Sequence, residues 1–464
     1  MTGDGGARRI TVLGAALAPD HRELIAGAGL VLGARRHLEA AGVRPERALV
    51  LGPLAPALDR LAELLAGPSA AAAPQADAVV LASGDPGFFG IVRALAERFG
   101  PDALDVRPGT SSVAEAFARL GLPWDDAVVV SAHGRDPRTA FNICRSRRKT
   151  AVLTAPGAGP AELGAALLAT PGIARRLVVA CDLGGADERV ERVTPAEAAA
   201  RDWPGVHVVL CLAEDGVGVG SMRSVAGWPG PQFGPDTAEA GWALPEERFE
   251  HRDAMLTKAE VRALVLARLG PRLGELVWDV GAGSGSVAIE CARLGAAVVA
   301  VERAEDGVRR VRSNARAHDV DVSVVHGSAP QALAELPTPD AVFVGGGGAD
   351  LPDIVAACAR RARRTVVVTL AAVDRVPTVR AALLASGFTA EGTQLQASRL
   401  SPLPGGVSRL AATNPVFVLW GTRLPDPDPE SPVASSTEPP AEPPIEPSIE
   451  PSIEPSAPLS GDTL

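Results

Sequence analysis

Three glycines at alternate positions, Gly281, Gly283 and Gly285, lie in the segment L-V-W-D-V-G-A-G-S-G at residues 276–285, and Glu302 follows seventeen residues after the last of them. Glycine lets a backbone turn sharply and approach a ligand closely. An apolar helix predicted over 286–294 would present its free N–H groups at the same place. A carboxylate at the end of the next strand can accept both hydroxyls of a ribose. Asp279, on the strand before the glycines, can orient N–H groups of the turn or meet an amino group of a ligand. A dinucleotide-binding unit also places an acidic residue about 20 positions on, but it prefers G-x-G-x-x-G, whose last glycine packs helix against strand. Here Ser286 holds that place, so the spacing is G-x-G-x-G. A glycine turn that holds nothing is the plain alternative, and the acidic strand end argues against it.

The first half carries two more such stretches. A-S-G-D-P-G-F-F-G at 82–90 puts Gly84, Asp85 and Pro86 just past a strand, in residue types that build tight turns. R-P-G-T-S-S at 107–112 sets Thr110, Ser111 and Ser112 before a helix predicted over 113–120, where a hydroxyl most often serves as an N-cap. In the second half, four consecutive glycines at 345–348 follow a strand, the point where an α/β sheet opens its crevice, and leave room for a large flat ligand. Arg399 and Arg409 offer guanidinium forks suited to carboxylates, with a surface ion pair as the equal alternative. Lys258 and His251 could contribute nearby, although a lone Lys or His is more often simply exposed.

Alternating short β-branched runs and Ala/Leu-rich helices must position these residues, which predicts an α/β chain. Strands are expected at 10–13, 49–51, 78–82, 127–130, 151–154, 176–181 and 206–212, and again at 277–280, 297–301, 322–326, 341–344 and 365–369. Residues 399–420 read as two strands with a loop between them. Thr257 followed by Glu260 has the capping-box spacing for a helix running to Leu269. Residues 214–243, rich in Gly and Pro without periodicity, read as a linker. The Pro/Glu/Ser-rich stretch 425–464, with I-E-P-S recurring at Ile445, Ile449 and Ile453, should be a disordered tail. The resulting domains are 8–213 and 244–424.

At 464 residues the chain exceeds a single core, and 46% apolar residues suffice for two. No apolar run is long enough to span a bilayer, and M-T-G-D-G-G-A-R-R-I lacks a signal-peptide core, so a cytoplasmic protein with no membrane partner is expected. Five scattered cysteines without C-x-x-C spacing predict reduced buried thiols and no metal site. A net charge of −10, with one dense basic cluster at 145–149, argues against a nucleic-acid partner.

The G-x-G-x-G turn and its acidic strand end resemble motif I of class I S-adenosylmethionine methyltransferases; pyrophosphate binding is the weaker reading. Residues 8–213 resemble the tetrapyrrole methylases, within them the precorrin-methylating branch. The match is carried by S-G-D-P-G-F-F-G, R-P-G-T-S-S-V-A-E-A-F-A-R-L-G-L-P-W-D-D, V-S-A-H-G-R at 130–135, V-L-T-A-P at 152–156 and D-L-G-G-A-D-E-R at 182–189. One departure is that the family's G-x-G-P-G loop is replaced by Gly14-Ala15-Ala16-Leu17-Ala18-Pro19, which predicts a loop of different shape. Residues 244–421 resemble the decarboxylating precorrin methyltransferases, through M-L-T-K-A-E-V-R, W-D-V-G-A-G-S-G-S-V-A-I-E, V-F-V-G-G-G-G and S-R-L-S-P-L-P-G-G-V-S-R-L-A-A-T-N-P-V. The order of the halves is that of the fused precorrin-6Y C5,15-methyltransferases (decarboxylating).

The resemblance implies a tetrapyrrole methylase fold of two α/β subdomains followed by a class I Rossmann-like domain. It implies S-adenosylmethionine as methyl donor, held by Gly84, Asp85, Pro86, Thr110 and Ser111 in the first half. In the second it would be held by Asp279, Gly281, Gly283, Gly285, Glu302, Ser328 and Gly345. Class I enzymes commonly place an acidic residue near the adenine amine; this chain has Gly327-Ser328-Ala329, so a hydroxyl or backbone would serve. The implied substrate is precorrin-6Y or its cobalt form, a tetrapyrrole rich in acetate and propionate. Arg399, Arg409, Thr257 and Lys258 would be the catalytic, substrate-side residues. The C-terminal half would methylate C15 and decarboxylate the C12 acetate, the N-terminal half methylate C5, with no metal required. A homo-oligomer is expected by the same analogy. Two other readings remain open on residues alone: an RNA or protein methyltransferase with a non-catalytic first half, its RNA form disfavoured by the acidic charge, and a cofactor- or tetrapyrrole-binding carrier.

Overall fold

The computed structural model describes residues 9–14, 19–66, 78–214, 241–252 and 256–425. The altered loop at 14–19, the linker and the tail fall wholly or mostly outside them. The described residues are α/β, and those up to Leu424 form one compact unit.

The first sheet comprises β1 (Ile10–Gly14), β2 (Leu30–Gly33), β3 (Ala48–Val50), β4 (Ala78–Ala82) and β5 (Leu104–Arg107), all parallel and ordered 3-2-4-1-5. Its inner strands are apolar on both sides because helices cover both faces: Ile10, Val12 and Val80 face one core, Leu13, Val79 and Leu81 the other. The second sheet holds β6 (Val128–Ser131), β7 (Lys149–Leu153), β8 (Arg175–Cys181), β9 (Arg189–Val193) and β10 (His207–Ala213), ordered 6-7-10-8-9, with β10 antiparallel to both neighbours.

The third sheet joins β11 (Leu276–Val280), β12 (Ala297–Glu302), β13 (Ser323–His326), β14 (Ala341–Val344) and β15 (Thr365–Leu370) in parallel. It ends with β16 (Glu391–Leu395) and antiparallel β19 (Val416–Thr422), in the order 13-12-11-14-15-19-16. A separate hairpin, β17 (Ser398–Pro402) and β18 (Ser408–Ala412), is inserted before β19. Polar contacts join the first two sheets' half to the third. Arg138 donates to Asp340 at 3.2 Å, Arg175 to Asp321 at 2.8 Å, and Asn142 Nδ2 to the Gly274 carbonyl at 3.0 Å.

Three expectations need correction. Strands β2, β5, β9 and β16 were not foreseen; the last three are sheet edges whose sequences mix charged or polar residues with apolar ones. Residues 399–420 contain three strands, because Leu403 to Val407 is a hairpin loop and Thr413 to Pro415 a second break. The Thr257/Glu260 capping box does not form: Glu260 is drawn to Arg399, and the first helical N–H, that of Ala259, is capped by the Glu246 carboxylate at 3.1 Å. Among the described residues no helix is long and apolar enough to cross a membrane.

Candidate active sites

In the third sheet the candidate cofactor residues stand at the carboxyl ends of four adjacent parallel strands, where such sheets open their crevices. Gly281 follows β11, Glu302 ends β12, Gly327 and Ser328 follow β13, and Gly345 follows β14. The turn is held by side chains. Glu302, buried, accepts the Gly283 N–H through Oε2 and the Ala304 N–H through Oε1, each at 2.8 Å. The buried Asn314 donates to the Ser284 carbonyl at 2.8 Å. Gly285, at φ 76°, lies where a Cβ would come within 2.9 Å of Val311. Neighbouring ends touch: the Gly327 N–H meets the Glu302 carbonyl at 3.0 Å, and a Cβ on Gly345 would lie 3.3 Å from the Gly281 carbonyl. Ser328 and Gly345 are exposed at this mouth.

Asp279 is 1% exposed. Its Oδ2 accepts the Ala288 N–H at 2.9 Å, tying the strand to the first turn of the helix Ser286–Arg293. Its Oδ1 is buried with no hydrogen-bond partner among the described residues. Burial pushes this carboxyl up to about 7, the Ala288 N–H pulls it down, and the Glu302 charge adds to the rise. A cationic amino group is the partner such an oxygen lacks, so the donor set fits the amino-acid end of S-adenosylmethionine.

In the first half, the candidate residues again sit at carboxyl ends of parallel strands, of β1, β4 and β5. Here backbone meets backbone. A Cβ on Gly14 would lie 2.6 Å from the Gly84 carbonyl, and one on Gly109 would lie 2.7 Å from the same atom. Gly84, at φ 60°, packs against Thr110 and Ser111. Asp85 accepts the Gly87 N–H at 2.8 Å, a turn-closing role, and Ser111 caps the helix Ser112–Leu120 by accepting the Ala114 N–H at 3.1 Å. Pro86 is buried and Thr110 exposed. Phe88, from the same loop, packs against the buried cluster that includes Phe117, Val178 and Leu210.

The substrate-side candidates fare unevenly. Arg399 spends four N–H bonds on two carboxylates, Glu246 at 2.7 and 3.1 Å and Glu260 at 2.7 and 2.6 Å. Burial would raise Glu246, but Arg399 and the Ala259 N–H outweigh it and hold its carboxyl at about 2. Arg399 is therefore a tether between the hairpin and the helix Ala259–Leu269 rather than an open fork. Thr257 and Lys258 precede that helix, half-buried. Arg409 is exposed opposite Ser401, on the same hairpin face as Arg399 by strand alternation. His251 is exposed and bonds the Phe249 carbonyl at 2.8 Å.

One structural element escaped the sequence reading although both residues lie in quoted motifs. Arg262 and Glu290, each fully buried, pair at 2.6 Å. Glu290 also accepts the N–H groups of Ala243 and Leu244, and Arg262 donates to the carbonyls of Thr257 and Leu244. The signal was a glutamate inside an otherwise apolar helix.

Comparison with known proteins agrees on both halves. Residues 13–199 match the family model of tetrapyrrole (corrin/porphyrin) methylases, and residues 247–423 that of the precorrin methyltransferase domain. The chain is 38% identical over 355 residues to the precorrin-6Y C(5,15)-methyltransferase (decarboxylating) of a Sinorhizobium species, covering 74% of this chain and 79% of that one. It is 36% identical over 183 residues to a probable cobalt-precorrin-6B C(15)-methyltransferase (decarboxylating) of Pyrobaculum calidifontis, covering 38% of this chain and 93% of the other. Among solved structures, the precorrin-6y C5,15-methyltransferase of Geobacter metallireducens is 28% identical, covers 39% of this chain and 97% of its own, and has a TM-score of 0.37.

Proposed function

Because this chain belongs to the precorrin-6Y C(5,15)-methyltransferase (decarboxylating) family, we propose that its two glycine-built crevices divide that reaction between them. The enzyme uses S-adenosylmethionine to methylate a precorrin, with loss of carbon dioxide, in cobalamin biosynthesis. The crevice of the third sheet methylates C15 and decarboxylates the C12 acetate, and that of the first half methylates C5. The observation that carries the second-half assignment is Asp279 Oδ1, a buried carboxylate oxygen beside the glycine turn without a partner among the described residues.

Bound S-adenosylmethionine supplies a methyl on a sulfonium that is already a good leaving group. What remains for the chain is position: holding an electron-rich meso carbon at near-attack distance in line with that methyl. Asp279 would meet the cofactor's amino group, and Glu302, with its oxygens already aligned by two backbone N–H groups, the ribose. Ser328 would stand near the adenine, and the exposed glycines after β14 leave space for the macrocycle. For decarboxylation, a protonated imine of the macrocycle takes the electron pair released with carbon dioxide. The chain's part is to hold the acetate out of the conjugated plane and strip water from it. Homo-oligomeric assembly, and a substrate free of cobalt or bearing it, belong to the same proposal by family analogy.

Mass spectrometry of the product formed from S-adenosylmethionine and precorrin-6Y tests this. Gain of two methyls with loss of one carbon dioxide is expected. One methyl plus decarboxylation would remove the first half from the assignment, and no change with either form of the substrate would remove both halves.

A further inference from the structure

We propose that Arg36, held by His37 and Ser83, is the substrate-carboxylate anchor of the first-half crevice, an inference that rests on the C5-methylation reading above. The three side chains come from different parts of the chain. Arg36 and His37 open the short helix Arg35–Ala40, directly after β2, and Ser83 follows β4, the neighbouring strand. Arg36 Nη2 donates to Ser83 Oγ at 2.9 Å, Arg36 Nε to His37 Nε2 at 3.2 Å, and Ser83 Oγ lies 3.3 Å from the same ring nitrogen. Ser83 is the residue before Gly84, so the cluster adjoins the turn assigned to the cofactor.

Each member has a physical role. Burial, and next the Arg36 charge, hold His37 below its ordinary pKa, so the ring stays neutral and can accept from Arg36. That acceptance places the ring proton on Nδ1, which is buried and has no partner among the described residues. Ser83 fixes the far end of the guanidinium. Two of its five N–H groups are thereby used, and among the described residues no carboxylate pairs with it. Arg36 itself is exposed, and its other three N–H groups have no acceptor among the described residues. Arg399 is the opposite case, with four N–H groups committed to Glu246 and Glu260. A polyanionic tetrapyrrole approaching a chain of net charge −10 needs a local cation, and a pre-oriented fork takes a carboxylate bidentately.

The test uses the full chain and precorrin-6Y, reading the one-methyl and two-methyl products separately. Arg36→Ala should raise KM for C5 methylation by about tenfold or more, leave its kcat within about threefold, and leave S-adenosylmethionine affinity and the C15 methylation with decarboxylation unchanged. Arg36→Lys, which keeps the charge without the fork, should fall between. His37→Gln, which cannot hold the fork as the ring does but still accepts, should shift KM less than Arg36→Ala. Two-methyl product at the parent KM from Arg36→Ala would overturn the anchor while leaving the C5 reading intact. A parent chain that yields only one methyl would instead overturn the C5 reading, and the anchor with it. Equal losses in kcat and in cofactor affinity across all three variants would assign the cluster a structural role.

Discussion

The two crevices use glycine for different purposes, and what surrounds the glycines differs accordingly. In the first half, Gly14, Gly84 and Gly109 bring three strand-end loops so close that backbone packs on backbone. A Cβ added at Gly14 or Gly109 would meet backbone at under 3 Å, so neither position takes a side chain without a shift. In the third sheet, the glycine turn is held from outside by Glu302, Asn314 and Asp279, with the helix behind it fixed by Glu290. The first design is intolerant of volume. The second is intolerant of lost hydrogen bonds and of unpaired charge.

The largest effect is expected where the second design depends on buried charge. Glu290→Ala strands Arg262 in the core with no carboxylate and frees the N–H groups of Ala243 and Leu244. Removing one partner of a fully buried pair costs about 3–5 kcal/mol. Chemical denaturation of this variant should lose that much stability, with C15 methylation failing at temperatures where the parent works. A loss below about 1 kcal/mol would mean that water or a neighbour compensates Arg262, and that the third sheet is not held as described. Replacing both residues by apolar ones of similar volume should cost much less than Glu290→Ala alone.

The next effect separates the two uses of glycine. Gly109→Ala places a methyl 2.7 Å from a backbone carbonyl that cannot retreat without moving β4's loop, so C5 methylation should fall by about a hundredfold or more, the scale of a misplacement of about 1 Å. C15 methylation should be untouched. Gly346→Ala meets nothing within 4 Å, so cofactor affinity should survive; a rise in KM for the tetrapyrrole would show that the open space is substrate space. Equal tolerance at both positions would erase the contrast.

Much of this was legible in the sequence because it is local. The spacing of Gly281, Gly283 and Gly285, the acidic residue closing the next strand, and the turn chemistry at Gly84 to Pro86 are all written in contiguous residues. What could not be read were choices between partners. Glu260 has capping-box spacing, but Arg399 lies 139 positions on in sequence and wins it, since a charge-assisted fork is stronger than a single cap bond. The same pairing withdrew Arg399 from the open role its residue type suggested. Arg36, His37 and Ser83 carry no sequence pattern at all; their meeting across 47 positions exists only once β2 and β4 are paired. The edge strands β5, β9 and β16 were missed for a related reason. Hydrophobic periodicity marks burial, and an edge strand is recognised by the neighbour it bonds to.

The smallest of the expected effects is also the most specific to Asp279. Its carboxyl sits at about 7 in the folded chain, above its usual range, chiefly through burial. The sign follows directly. The folded state binds this proton more tightly than the unfolded one, so the stabilising contribution is complete below the unfolded pKa, near 4, and is lost as pH rises through about 7. Cofactor binding runs the other way. If Oδ1 receives the cofactor's ammonium group, the charged carboxylate is the binding form, and each pH unit below 7 should weaken affinity by about tenfold. Titrating S-adenosylmethionine into the chain with the first-half site disabled by Gly109→Ala should therefore show affinity falling about tenfold from pH 8 to pH 6, with proton release on binding near pH 7. Asp279→Asn, which keeps the shape and cannot ionise, should flatten that slope and remain stable at pH 8. A slope that persists in Asp279→Asn would move the titrating group elsewhere and leave the orphan oxygen without its proposed partner.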